Sequence, residues 1–155
     1  MLAVLAVPLT AVVGGALVGC ARDGGSAVDP AVAASASAAW AAAGTDDYAY
    51  TLTSSCGERF LYGTYRVTVT GGEITDVVGL DETAQRLVAE GHDLTEDIPT
   101  LAQLQVRVLD TDKDDVAEVS FDPSTGYPAS VTFDPNPRGV DDEECYVVTD
   151  YAPTD

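Results

Sequence analysis

Basic side chains are scarce in this chain: seven Lys and Arg stand against 26 Asp and Glu, a formal net charge of −19. So acidic a surface repels phosphate backbones and anionic lipid headgroups, which argues against nucleic acid and against charge-driven membrane binding. Histidine is scarcer still, with His92 alone. A three-histidine zinc site is thereby excluded, and a Ser-His-Asp triad finds no second clue. His92 follows Gly91 in a predicted helix-ending loop, where a cation suits the helix dipole. Cysteine is confined to Cys20, Cys56 and Cys145.

Charge is also missing from the start of the chain. Residues 2 to 18, LAVLAVPLTAVVGGALV, carry no charged side chain. Pro8, Gly14 and Gly15 weaken a helix there, and the run is at the lower limit for spanning a bilayer. Small residues before Cys20 suit a cleavage site better. Leu17-Val18-Gly19-Cys20 resembles the lipobox of bacterial lipoproteins. That resemblance implies a diacylglycerol on the thiol of Cys20 and a cut just before it, and two acyl chains anchor where one would not. No Lys or Arg precedes Arg22, whereas export signals carry a positive n-region. The expectation is therefore a start placed too late, with basic residues upstream.

The domain plan follows. Residues 1–19 read as a lipoprotein signal peptide, 20–29 as the lipidated cysteine with a Gly-rich flexible tether, and 30–155 as one folded domain. That length is enough for a real core. With Cys20 given to lipid, Cys56 and Cys145 form the even pair expected to be a disulfide in an exported protein. Acidic neighbours such as Glu58, Glu143 and Glu144 raise a thiol's pKa and argue against a reactive cysteine.

Asp29-Pro30 predicts a helix start, with Val32, Ala36 and Trp40 on one face and Gly44 to close it. From Tyr48 the period changes to two. Tyr48, Tyr50 and Leu52 alternate with Ala49, Thr51 and Thr53, and a second strand carries Leu61, Gly63, Tyr65, Val67 and Val69. Gly71-Gly72 turns into a third strand over 73–80. Asp81 caps a short helix bearing Ala84, Leu87 and Val88, and a further helix begins near Pro99-Thr100 with Leu101, Leu104 and Val108 in helical spacing. Strands around 117–121, 129–133 and 145–151 finish the chain. The expected class is α+β: a six-stranded antiparallel sheet of two three-strand meanders, with helices packed on one face. A Cys56–Cys145 bridge makes strands one and six antiparallel neighbours, hence the order 3-2-1-6-5-4.

Several segments in sequence order resemble the DUF6174 family, actinobacterial lipoproteins with a domain of unknown function. They are Tyr48-Ala49-Tyr50-Thr51-Leu52, Ser55-Cys56-Gly57-Glu58-Arg59, Arg66-Val67-Thr68-Val69 before Gly71-Gly72, and Pro99-Thr100-Leu101. Phe121-Asp122-Pro123 with Gly126-Tyr127-Pro128 follows, then Asp134 and Asp141-Asp142-Glu143-Glu144-Cys145-Tyr146. Together they cover residues 40 to 151. The resemblance implies a common scaffold and supplies no reaction.

Two acidic runs are the candidate cation sites. Asp110, Asp112 and Asp114 alternate as in a calcium loop, but the sixth and twelfth positions are Asp115 and Phe121 where an EF-hand needs Gly and Glu. Asp141 and Asp142 open the second run. A solvated acidic loop is the plainer reading of both, and a weak calcium site the alternative. No carboxylate pair stands out for glycoside chemistry. The expectation is a non-enzymatic binding or scaffold module without a cofactor. It would be lipid-anchored at the cell membrane on the extracytoplasmic side, with a protein or envelope partner. A calcium-responsive module and a carboxylate-based hydrolase are the alternatives. An exposed sheet face carrying several tyrosines would favour a binding module.

Overall fold

The computed structural model describes residues 28–43, 45–57, 60–110, 116–136 and 138–154. The elements run α1 (Pro30–Ala43), β1 (Tyr48–Ser54), β2 (Gly63–Thr70), β3 (Glu73–Gly79), α2 (Glu82–Ala89), α3 (Leu101–Leu109), β4 (Val116–Phe121), β5 (Pro128–Phe133) and β6 (Glu144–Pro153). The strands form one antiparallel sheet in the order β3-β2-β1-β6-β5-β4. Two meanders thus meet at the central β1–β6 pair, as the cysteine spacing predicts.

Each helix starts where a side chain takes up its orphan amides. The Asp29 carboxylate accepts from Ala31 N at 2.8 Å. Asp81 accepts from Ala84 N at 2.9 Å and, through its other oxygen, from Thr64 N at 2.6 Å, tying α2 to β2. Thr100 and Gln103 form a reciprocal capping box on α3. Alanine's helix propensity carries α1, whose side chains bury little. Ala33 and Ala36 are buried, but Val32 is 54% exposed. The predicted Val32-Ala36-Trp40 face is thus corrected: the buried stripe is shifted by one residue at its start. Val88 of α2 is also exposed. Gly44 lies outside the described residues.

The register sets the core. Tyr48, Tyr50 and Leu52 stand opposite Val69, Val67 and Tyr65, and all six are essentially inaccessible. Residues of all three helices join the core cluster. Trp40 of α1 meets Tyr48, Tyr127 and Tyr151 with ring centroids 5.7, 6.3 and 5.9 Å away. Ala84 of α2 belongs to the same cluster, as do Leu101, Leu104 and Val108 of α3. Two buried tyrosines also join the sheet to the start of α3. Tyr50 OH donates to Pro99 O at 2.5 Å, and Tyr48 OH accepts from Leu101 N at 3.2 Å.

Close approach explains two glycines. A Cβ on Gly79 would collide with the α2 backbone at Ala84 and Gln85. One on Gly126, whose φ is +79°, would run into the α1 carbonyl of Ala36. The opposite sheet face is rich in hydroxyls, with Thr51, Thr53, Thr64, Thr68, Thr132 and Thr149 sharing it by register. Arg66 on this face donates to Asp150 O at 2.9 Å.

Candidate functional site

The disulfide stands at the centre of the sheet. Cys56 and Cys145 are bonded, with Cα atoms 5.3 Å apart across 89 residues. Ser54 pairs with Tyr146 just inside it, and Ser55 N donates to Cys145 O at 3.2 Å. The bridge therefore clasps the end of β1 to the start of β6.

Next to it, the start of β6 builds a polar cleft with α3. Phe133 and Glu144 are opposite each other in the β5–β6 ladder, so both face α3. The Arg107 guanidinium lies 4.0 Å above the Phe133 ring centroid and reaches Glu144 Oε2 at 3.1 Å. Tyr146 OH donates to that same oxygen at 2.7 Å. Glu144 is a largely enclosed carboxylate, its side chain 12% exposed, so a charged partner offsets much of its desolvation. The cleft, about 590 Å³, continues past Gln103 and Val106 to Glu96, Asp97, Ile98 and Pro99. Its cation is matched to Glu144, while Glu96 and Asp97 stay exposed at the rim. The arrangement is a fixed polar wall beside an apolar floor, under an acidic edge.

A second concavity of about 480 Å³ runs between α1 and β4. Ala31, Val32, Ser35, Ala36 and Ala39 form one side, and Val119, Ser120 and Phe121 the other. Asp122 closes its end. Ser124 and Thr125 hydroxyls each donate to Asp122 Oδ1 at 2.7 Å, and their amides add two more bonds. These hold its carboxyl at about 2, well below the ordinary carboxylate value.

Of the predicted cation ligands, Asp110, Asp141 and Asp142 are among the described residues. Asp110 is the C-cap of α3. Asp141 is exposed with a left-handed φ of 64°, and Asp142 is half-buried. One oxygen each of Asp134 and Asp142 is enclosed without a hydrogen-bond partner. Among the described residues, no three His, Cys, Asp or Glu side chains could hold one metal ion. Cys20, Asp112 and Asp114 lie outside the described residues, as does Arg59. His92 stacks edge-on against Phe60, centroids 4.7 Å apart, with Glu90 Oε2 3.4 Å from its Nε2.

Three of the tyrosines are withdrawn from any ligand. Tyr48, Tyr50 and Tyr65 are buried, and burial pushes each hydroxyl's pKa up. Tyr127 packs against Trp40 and Tyr151. Sequence reasoning missed the Arg107–Glu144–Tyr146 cluster, whose partners are 37 residues apart for Arg107 and Glu144. It also missed Gln105, which is 4% exposed with neither amide atom hydrogen-bonded. A polar residue inside the Leu101-Leu104-Val108 pattern was the available signal.

Residues 32–153, and so every strand and the cleft beside α3, match a family of unknown function, DUF6174. The chain belongs to the DUF6174 family. Neither a curated protein nor a solved structure gives a significant match. Membership thus ties the scaffold to its relatives and leaves the activity of this family member to be read from its own side chains.

Proposed function

We propose that this DUF6174 protein is a lipid-anchored, extracytoplasmic binding module, tethered through Cys20 and presenting the cleft beside α3. The Cys56–Cys145 disulfide carries the reading. Such bonds persist in oxidising compartments outside the cytoplasm, and this pairing leaves Cys20 alone next to a lipobox-like stretch. Binding rather than catalysis is favoured by the state of the cleft's enclosed groups. Glu144 accepts bonds from both Arg107 and Tyr146, an arrangement that holds side chains still. A general base needs an oxygen turned to a substrate proton.

Cys20→Ser in the expressing cell tests the anchor. The wild type is expected in the membrane fraction and in the detergent phase of a phase-partition assay, and the variant in the soluble fraction. A variant that stays membrane-bound refutes a lipid anchor. Thiol labelling of freshly isolated protein tests the compartment. Reactive Cys56 and Cys145 before any reductant would refute export.

A further inference from the structure

We propose that the groove between α1 and β4 receives an extended peptide from a partner protein. The peptide adds to β4 as a seventh strand and carries a basic residue facing Glu118. This inference goes beyond the anchored-module reading and does not use the cleft beside α3.

The argument begins with the sheet edge. β4 ends the sheet, so among the described residues its outer amides and carbonyls have no strand to pair with. An edge of this kind is a template for main-chain pairing. Most of its hydrogen-bonding capacity is independent of the incoming sequence, which is how strand addition gains affinity. A strand of this length spans about 20 Å, enough for a six-residue segment.

Specificity then needs a wall beside the edge, and α1 supplies it. Val119 and Phe121 are half-buried, and Val32, Ser35 and Ala31 across from them are exposed. An incoming strand would set alternate side chains between these two rows, while the intervening ones point to water. Because α1 offers Ala, Ser and Val here, the gap stays open to side chains of moderate size. Gly126, under the Ala36 carbonyl, lets α1 approach the β4–β5 turn closely and fixes the groove's width at that end.

Charge selects the occupant. Glu118 is exposed on β4, and Asp122 at its end is a carboxylate fixed in the ionised form. A second copy would bring another acidic edge and another net charge of −19, so β4-to-β4 pairing is opposed. A strand bearing Lys or Arg is attracted instead. Its apolar positions should be medium-sized, and proline should be absent from its hydrogen-bonding positions.

The test pans a phage-displayed library of random heptapeptides on the full chain in detergent micelles, in parallel on Ser35→Trp, which fills the groove from an exposed helix position. The best peptides are then synthesised and titrated by fluorescence anisotropy. Enrichment of alternating apolar sequences with a basic residue is expected. Ser35→Trp should weaken them at least ten-fold with an unchanged melting temperature, and one proline in the peptide should do the same. Glu118→Lys, a surface change, should weaken basic peptides three-fold or more, keeping the proposal falsifiable if the tryptophan variant misfolds. No enrichment, wild-type affinity in both Ser35→Trp and Glu118→Lys, or a wild-type dimer in sedimentation that Ser35→Trp dissociates would each overturn it.

Discussion

Replacing Cys56 and Cys145 together by alanine removes the covalent link between the two meanders while leaving the β1–β6 ladder its backbone bonds. The link closes 89 residues. In the chain-entropy treatment a loop of that length restricts the unfolded ensemble by about 4.6 kcal/mol at 25 °C. Both cysteines are only half-buried, so the cavity left by the sulfurs adds little. Total stability of a domain is about 5–15 kcal/mol, so the link is a third or more of it. At roughly 4 °C per kcal/mol for this size, the melting temperature should fall by about 18 °C. Urea titration at pH 7, with far-ultraviolet circular dichroism, supplies the free energy. The slope m should rise, because the uncrosslinked chain exposes more surface when unfolded. A loss below about 1.5 kcal/mol with m unchanged would refute the reasoning. It would mean that the unfolded chain is already compact across β1 and β6, or that the link strains the native state.

Tyr50→Phe leaves the Pro99 carbonyl without its buried donor; a loss of about 1–2 kcal/mol in the same titration is expected, and none would mean that water takes the hydroxyl's place. Gln105→Met replaces a buried amide whose atoms find no partner and should stabilise by about 1 kcal/mol; destabilisation would point to an unseen partner for that amide. Asp122→Ala has a pH signature. The folded carboxyl sits at about 2, below the ordinary value of 3.8, so its contribution is complete above about pH 4 and lost as pH falls through 2. The stability gap between wild type and variant should therefore be constant from pH 5 to 7 and close between about pH 4 and 2. A gap independent of pH refutes the charged-acceptor account.

Much of the architecture was legible from local chemistry. Asp29, Asp81 and Thr100 mark helix starts because short polar side chains satisfy the first amides wherever a helix begins, whatever surrounds it. Alternation from Tyr65 to Val69 marks a strand with one face buried, whereas β1, which alternates in sequence from Tyr48 to Leu52, is buried on both faces at the middle of the sheet. The cysteine pair made β1 and β6 neighbours, and the order of the whole sheet followed from short hairpins on either side. α1 was misread at Val32 because an alanine-rich helix has too little contrast between its faces.

The functional surfaces were harder to see. Arg107, Phe133, Glu144 and Tyr146 are unremarkable in their own segments, and only the packing of α3 over β5 and β6 brings them together. The groove at β4 likewise needs α1, which lies more than seventy residues earlier. Its existence depends on which strand ends the sheet.

By itself, then, the sequence determined the acidic character, the elements with their caps and turns, and, through two cysteines, the pairing at the sheet's centre. These follow from interactions within a few residues or from a covalent bond whose partners can be counted. Tertiary structure alone decided which side chains share a cleft, which tyrosines are withdrawn from solvent, and which edge stays open. Those outcomes depend on distances between segments remote in sequence, set by how apolar faces pack against one another, and no local pattern records them.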